Sequence, residues 1–403
     1  MIEEKTAQFR RTTFALGVAA FFIFANLHFP QPILPVLARE FQVSDVMISL
    51  LVSVPLFVLA IAFFIYSPLS DALGRKKIMN TAMVIACLLS LGLAVVPGFE
   101  GLLLIRTLQA IALAGIPTIA LAYISEEYAK KAMTVAIGVY ISANSFGGMT
   151  GRFMSGVLTD LSSWRIAFLV MGLISVLSVI LVLLFLPNSK QFTPQPFHFK
   201  DVIANYRHHL SDRQLQPAYI VGGLHFLIFI GFYSYVAFLL LAEPFSLSTT
   251  VVGFVFITYM AGTFSSTLAG KLAKKYSQAY CLKIGILIMA VGITLTLIMN
   301  LLLIVLGLLL LSFGFFFAHS CSSAWVSKYA TTAKASASGL YLTAYYIGGG
   351  LGGIYLGWFW VHAGWIGVVA GSMMILVVTT YTSIQMKHLE ETDHLKSTSY
   401  TVN

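Results

Sequence analysis

The chain has 403 residues, of which 58% are hydrophobic and 10% are charged, and its formal net charge at pH 7 is +9. A soluble domain carries about 25% charged residues, so this composition excludes a chain that covers itself with a water-facing surface. It favours a polytopic membrane protein.

Twelve apolar runs follow one another along the sequence, each long enough for a membrane helix. We expect the first six at roughly 12–37, 45–66, 78–96, 101–124, 132–158 and 165–187. The second six are expected at roughly 217–241, 250–270, 280–298, 302–325, 335–361 and 364–386. The predicted fold class is therefore an all-α membrane protein.

The longest polar stretch lies between the two sets of helices. It divides the chain into an N-terminal six-helix bundle at 1–187, a cytoplasmic central loop at 188–216, and a C-terminal six-helix bundle with a short cytoplasmic tail at 217–403. Two six-helix halves in the same orientation are typical of a transporter built from parallel repeats.

The basic residues gather in loops on one side of the predicted membrane. With the N-terminus inside, most Lys and Arg residues face the cytoplasm, whereas Arg39 and Arg165 lie outside. This positive-inside bias predicts that both termini are cytoplasmic, and it accounts for the net charge without a nucleic-acid partner. The three cysteines have no metal-ligand spacing, so neither a metal nor another cofactor is expected.

Chemical motifs of enzymes are missing from the sequence. It contains no HExxH, no GxSxG and no nucleotide-binding loop of the GxxxxGKS type. The sequence therefore predicts a protein that is not an enzyme and that does not use ATP.

An internal repeat marks the fifth and eleventh predicted helices. The stretch GVYISANSFGGMTGR at 138–152 aligns without a gap with GLYLTAYYIGGGLGG at 339–353. The aligned glycines predict a seam where helices approach closely, and they are Gly147, Gly148 and Gly151 in the first copy and Gly348, Gly349 and Gly352 in the second. Arg152, however, aligns with Gly353, so a charge stands in only one copy.

Three segments carry a resemblance to a known family. The loop LSDALGRKK after the second helix resembles the loop signature of the major facilitator superfamily. The segment LLLIRTLQA at 102–110 resembles the helix-four signature through Arg106 and Gln109, and ANSFGGMTGR at 143–152 is similar to the helix-five antiporter signature, with Asn144 at its proline position. The chain thus resembles the bacterial drug and sugar exporter branch, called arabinose-efflux-permease-like or acriflavine-sensitivity-like.

This resemblance implies a fold of twelve transmembrane helices in two six-helix parallel repeats. It also implies alternating access, a cavity lined mainly by the first, fourth, seventh and tenth helices, a monomer, and a bacterial cytoplasmic membrane location. The loop with Asp71, Gly74 and Arg75 is then expected to act as a conformational switch; Gly74 permits its tight turn.

Charged and polar residues inside membrane helices are costly, which makes them functional candidates. All fifteen acidic residues fall in loops, tails or last helical turns, so no carboxylate is expected in mid-membrane. The candidates for the cavity are Asn26, His28, Gln31, Arg106, Gln109, Arg152, His225 and His319. A histidine changes charge near neutral pH and suits a coupling proton, although a neutral histidine bonded to a neighbouring helix is the plainer interpretation. For the arginines the plainer interpretation is that each side chain reaches the membrane interface or bonds to backbone carbonyls.

Three functions remain open from the sequence. The first is a proton-coupled exporter of drug-like or sugar-like small molecules. The second is a small organic anion transporter or uncoupled facilitator that uses Arg106 and Arg152. The third is a membrane-embedded sensor without transport. The expected partners are a small-molecule substrate, protons and membrane lipid.

Overall fold

The computed structural model describes residues 1–192, 199–273, 275–332 and 334–400. Within these ranges the chain is almost entirely helical, and its β contact is an isolated bridge between Ile2 and Tyr128. The predicted all-α fold is confirmed. Part of the predicted central loop, 193–198, lies outside the described residues.

Eight α-helices precede the central loop. They are α1 (Ala7–His28), α2 (Leu34–Phe41), α3 (Asp45–Leu73), α4 (Arg75–Gly92), α5 (Phe99–Ala114), α6 (Pro117–Glu127), α7 (Lys130–Leu161) and α8 (Trp164–Phe185).

Seven further α-helices complete the described chain. They are α9 (Phe199–Ser211), α10 (Gln216–Leu241), α11 (Thr249–Val255), α12 (Ala261–Leu272), α13 (Gln278–Leu295), α14 (Leu301–Tyr329) and α15 (Lys334–Tyr400).

These elements make twelve membrane-crossing helices in the described part of the chain. Ten stretches are long and apolar enough to cross a membrane, and several join two elements, such as Phe99–Glu127. One of the ten, Ser336–Thr392, is too long for a single crossing and is divided by non-helical dihedral angles at Ala363 and Gly364. The remaining helix is α7, whose many small and polar residues lower its hydropathy.

Prolines explain why the first crossing is built from three pieces. After α1, a 3-10 turn at Gln31–Ile33 leads into α2. Pro30 and Pro32 lack the amide hydrogen that an α-helix needs at these positions, so the helix is interrupted there.

One compact unit consists of Met1–Phe199 together with Ala237–Phe256. In this unit α1 and α7 lie in close contact. A Cβ atom on Gly147 would lie 2.5 Å from the carbonyl oxygen of Phe21, and one on Gly151 would lie 2.5 Å from that of Ala25. These two glycines therefore allow the backbones of α7 and α1 to touch.

The other unit consists of Lys200–Val236 together with Ile257–Asn403. The portion of α10 that belongs to this unit, residues 216–236, is almost completely buried. A Cβ atom on Gly348 would collide with the backbone of Gly223, and one on Gly352 would collide with the carbonyl oxygen of Leu227. At Gly349 the obstacle is the ring of Phe226, 2.5 Å away. The second glycine group thus allows α15 to approach α10 closely.

Candidate functional site: buried polar clusters in the two units

Arg106 is a buried arginine of α5, only 1% exposed, and its hydrogen-bond donors meet neutral acceptors. Its Nη1 donates to the carbonyl oxygen of Asn26 at 2.8 Å and to Oε1 of Gln109 at 2.7 Å. Its Nη2 donates to the carbonyl oxygen of Leu27 at 2.6 Å. Nε and Nη2 both approach the carbonyl oxygen of Leu51 at 3.4 Å. The five N–H groups of this guanidinium are therefore directed at protein acceptors.

Prolines remove the usual α-helical amide donor of two of these carbonyl groups. In a continuous helix the carbonyl of Asn26 would accept from the amide of residue 30, and that of Leu51 from the amide of residue 55. Both positions are proline, which has no amide hydrogen. Arg106 supplies the missing donor to both, and it thereby joins α1, α3 and α5.

A neutral network continues from Arg106 through Gln109 and Asn26. Nε2 of Gln109 donates to Oδ1 of Asn26 at 3.1 Å and to Oγ of Ser90 at 2.7 Å. Ser90 donates to Oδ1 of Asn26 at 2.8 Å, and Nδ2 of Asn26 donates to Oγ of Ser175 at 3.1 Å. All these residues are buried. The network connects α1, α4, α5 and α8, and satisfies polar groups that lipid would leave without partners.

Arg152 lies in a different polar cluster of the same unit. It is 2% exposed. Its Nε donates to Oε1 of Gln31 at 2.8 Å, and its Nη1 donates to the carbonyl oxygen of Gly148 at 2.9 Å. The guanidinium carbon stands 5.1 Å from the centre of the Phe256 ring. A cation over an aromatic face is a favourable arrangement where water is excluded.

His28 belongs to the cluster around Arg152. It is 5% exposed, and its Nδ1 is buried without a hydrogen-bond partner. The Cβ position of Gly148 lies 3.3 Å from Nη1 of Arg152 and 3.9 Å from Cδ2 of His28. The structure thus groups Asn26, Arg106 and Gln109 in one network, and His28, Gln31 and Arg152 in another.

The two remaining candidate histidines lie in the other unit. Nε2 of His225 is 3.0 Å from Oγ1 of Thr379, and its Nδ1 is buried without a partner. His319 is half-buried, and its Nδ1 is 2.9 Å from the hydroxyl of Tyr341. The His319 ring also lies 4.8 Å from that of Tyr345 and 6.2 Å from that of Phe315.

The loop between α3 and α4 holds the third candidate group. Gly74 has φ +104°, a conformation that favours glycine. Arg75 forms ion pairs with Asp71 and, at 2.6 Å, with Glu126 of α6. Its Nη1 also donates to Oγ of Ser70 at 2.6 Å. The loop is therefore connected to two neighbouring helices by charge-assisted hydrogen bonds.

The sequence interpretation missed a contact between the end of α7 and the start of α11. The carboxylate of Asp160 accepts from the amide and hydroxyl of Thr249, and from the amide of Thr250 at 2.7 Å. The hydroxyl of Thr249 also lies 2.9 Å from the carbonyl oxygen of Gly156. Asp160 satisfies amides that the first turn of a helix leaves unpaired. A signal existed: SLSTT at 246–250 is typical of a helix start.

Comparison with known proteins agrees with this architecture. The family model described as Major Facilitator Superfamily matches residues 16–353. The chain is 40% identical over 377 residues to the inner membrane transport protein YnfM of Escherichia coli (strain K12), a match that covers 94% of this chain and 90% of YnfM. It is 36% identical over 382 residues to the MFS-type transporter YybF of Bacillus subtilis (strain 168), which covers 95% of each chain.

Solved structures share the fold. A bacterial homologue of the human lysosomal transporter Spinster superposes with a TM-score of 0.76 at 16% identity, and the match covers 95% of this chain and 96% of the other. Since the family model spans most of the chain and the relatives match nearly its full length, the chain belongs to the Major Facilitator Superfamily and is a multi-pass membrane transporter.

Proposed function

We propose that the chain is a secondary active transporter that works by alternating access and exports small drug-like or sugar-like molecules in exchange for protons. It acts as a monomer in the bacterial cytoplasmic membrane, with both termini in the cytoplasm. Family membership supports transport, and the basic residues of the cytoplasmic loops support the orientation. The similarity of ANSFGGMTGR to the antiporter signature supports exchange.

The observation that carries proton coupling is the environment of His319. A proton carrier has to meet water in at least one state of the cycle, and its charge has to change near neutral pH. His319 is half-buried, whereas His28 and His225 are 5% and 1% exposed. The hydroxyl of Tyr341 holds the orientation of the His319 ring. We therefore assign the proton to His319.

The rings around His319 suit an amphipathic solute. Tyr345 is half-buried and stacks on Phe226 with ring centres 3.8 Å apart. Phe315 lies beside both His319 and Tyr345. Aromatic faces bind apolar and planar groups, and a tyrosine hydroxyl adds a hydrogen bond. This surface of a single unit supports a substrate with an apolar face and few polar groups.

The test uses the purified chain in liposomes that contain a pH-sensitive dye. A proton gradient is imposed, and a lipophilic cation, a sugar and an organic anion are added in turn. We expect substrate-dependent proton movement that His319→Gln abolishes. His362→Gln is the matched control, because His362 is exposed and bonds only within its own helix, to the carbonyl oxygen of Trp358.

Other outcomes of the liposome experiment would point to other functions. Solute movement without a proton signal would indicate a facilitator. Movement of only the organic anion would favour the anion transporter, for which the cluster around Arg152 is the candidate site. If no solute moves in any condition, the proposed export of drug-like or sugar-like molecules is contradicted.

A further inference from the structure

Tyr341 of α15 is hydrogen-bonded to one nitrogen of His319, the residue that carries the proton in the proposed function. Its hydroxyl oxygen lies 2.9 Å from Nδ1 of His319 and 3.4 Å from the carbonyl oxygen of the same residue. Tyr341 is 2% exposed, whereas His319 is half-buried. The Nδ1 side of the ring is covered by Tyr341, so Nε2 is the nitrogen that is left for water.

A glycine of α10 makes room for the Tyr341 ring. A Cβ atom on Gly222 would lie 2.6 Å from Cε2 of Tyr341 and 3.1 Å from its hydroxyl oxygen. Packed carbon atoms stay about 3.5 Å or more apart, so the ring fits there because position 222 has no side chain. The ring centres of Tyr341 and His319 are 5.5 Å apart. Packing between α10 and α14 thus fixes where the Tyr341 hydroxyl stands.

The groups around the His319 ring are neutral in the part of the chain that the structure describes. The ion pairs there involve other residues. The titratable side chains around the ring are Tyr341 and Tyr345 of α15 and His225 of α10. His225 is 1% exposed, and its Nε2 is bonded to the hydroxyl of Thr379. A charged His319 therefore depends on hydrogen bonds to neutral groups, and such bonds are strong when one partner is charged.

The position of the hydrogen on a neutral histidine decides where the next proton binds. One ring nitrogen carries a hydrogen and the other has a lone pair, and the bond made at one nitrogen selects the form. A proton from water can add only to a lone pair that water reaches, which for His319 means Nε2. Nδ1 then carries the hydrogen and donates it to the oxygen of Tyr341. The Tyr341 hydroxyl in turn has the carbonyl oxygen of His319 as its acceptor.

We propose that Tyr341 is the positioning residue of proton coupling. Its hydroxyl oxygen accepts from Nδ1–H of His319 and thereby keeps the lone pair of the neutral ring on Nε2. The coupling proton adds to this lone pair from water on one side of the membrane and leaves from Nε2 to water on the other side, while the hydrogen on Nδ1 stays in place. This inference rests on the proposed function and adds the residue that selects the proton-exchanging nitrogen.

The first measurement locates the hydrogen on His319 without transport. The full chain is purified in detergent with ¹⁵N in its histidine rings, and spectra are recorded at about pH 8.5, above the ordinary histidine range. A ring nitrogen with a hydrogen and one with a lone pair resonate at clearly different ¹⁵N frequencies. His319→Gln identifies the signals of His319 among the nine histidines. We expect the hydrogen on Nδ1 in the native chain and on Nε2 in Tyr341→Phe.

Two further variants test whether the placement of the hydroxyl is the cause. Gly222→Ala keeps the Tyr341 hydroxyl but pushes it away from His319, so it is expected to move the hydrogen to Nε2 as Tyr341→Phe does. Tyr345→Phe is the matched control. The Tyr345 ring lies 4.8 Å from the His319 ring, but within the described chain its hydroxyl is not bonded to His319. This variant is expected to keep the hydrogen on Nδ1.

The second measurement is the pH profile of proton movement in the liposome experiment. Without the Tyr341 hydroxyl, a charged His319 has no acceptor for Nδ1–H. Half-maximal substrate-dependent proton movement in Tyr341→Phe is therefore expected at a pH about one unit or more below that of the native chain. A purely structural role would reduce the movement at every pH without shifting the profile. Gly270→Ala is the control, because its Cβ position has nothing within 4 Å, and it is expected to keep the native profile.

Two results would overturn the role of Tyr341. One is a native chain with the hydrogen on Nε2, and the other is an unshifted pH profile in Tyr341→Phe. The spectra need neither a gradient nor a solute, so a failure of export in liposomes leaves the position of the hydrogen measurable. Conversely, normal proton movement with an unshifted profile would contradict the role of Tyr341 and leave the proposed exporter intact.

Discussion

Nη1 of Arg106 donates to the carbonyl oxygen of Asn26 at 2.8 Å, and the residue four positions further on, which would supply the α-helical amide, is Pro30. The same guanidinium reaches the carbonyl oxygen of Leu51, for which the corresponding position is Pro55. Amide hydrogens that prolines remove from two membrane helices are thus replaced by the donors of one side chain. Arg106 thus connects helices, whereas Arg152 bonds to the side chain of Gln31 and to a carbonyl group of its own helix.

Replacement of Arg106 is expected to destabilise the protein. Arg106→Gln removes the guanidinium donors from the carbonyl groups of Asn26, Leu27 and Leu51, which is expected to cost about 3 kcal/mol or more in total. The measurement is the thermal unfolding midpoint of the purified variant in detergent. Arg39→Gln is the control, since Arg39 is exposed. Equal midpoints for both variants would contradict this role of Arg106.

The glycines of α7 are expected to respond differently to one added methyl group. Gly147→Ala forces a Cβ atom against the backbone of Phe21, so α7 has to move away from α1 and the yield of folded protein falls. Gly138→Ala meets nothing within 4 Å and gains helix propensity of up to about 1 kcal/mol. Size-exclusion profiles and unfolding midpoints of the two variants provide the comparison. A stable Gly147→Ala protein would rule out the close contact.

Asp160 is expected to control how firmly α11 is attached to α7. Asp160→Asn removes the charge that complements the first turn of α11, and replaces one acceptor oxygen by a donor group. The expected loss is about 1 kcal/mol of local stability. Hydrogen–deuterium exchange of the peptide that contains Thr249–Val255 measures it, with faster exchange expected in the variant. Glu100→Gln, at the exposed start of α5, is expected to leave this exchange unchanged.

Glu127 is expected to protect the beginning of the central loop from proteolysis. Its Oε1 accepts from the amides of Lys190 at 2.6 Å and Gln191 at 2.8 Å, and the residue is 3% exposed. Trypsin cleaves after lysine, and here it has to pull the Lys190–Gln191 peptide out of these bonds. Glu127→Ala is therefore expected to accelerate this cleavage in inside-out vesicles. Cleavage after the exposed Arg213 is the internal control, and a parallel increase there would indicate general unfolding instead.

The sequence was sufficient to predict the helices. Apolar runs long enough to cross a membrane depend on composition alone, so the fold class and the twelve crossings are confirmed by the structure and the family. Pro30 and Pro32 lie at the break in the first crossing, so this break also follows from the sequence.

Side-chain partners could not be predicted in the same way. The acceptors of Arg106 are backbone carbonyl groups, which have no signature of their own, although Pro55 in SVPLF gave an indirect sign. Neighbouring residues of a helix point about 100° apart. For this reason the sequence does not distinguish Gly147 from Gly148, yet Gly147 faces the backbone of α1 and Gly148 faces side chains. Asp160 and Thr249 are 89 positions apart, and no local pattern connects them.

The grouping of Ala237–Phe256 with Met1–Phe199 has a consequence for dividing the gene. A cut within the central loop gives one fragment that ends before this segment and another that begins before it. The first fragment alone would leave Gly156 and Asp160 uncovered, and the second would carry Thr249 without its acceptors. Each fragment therefore lacks contacts that the other fragment supplies. A split transporter is expected to assemble only when both fragments are expressed together.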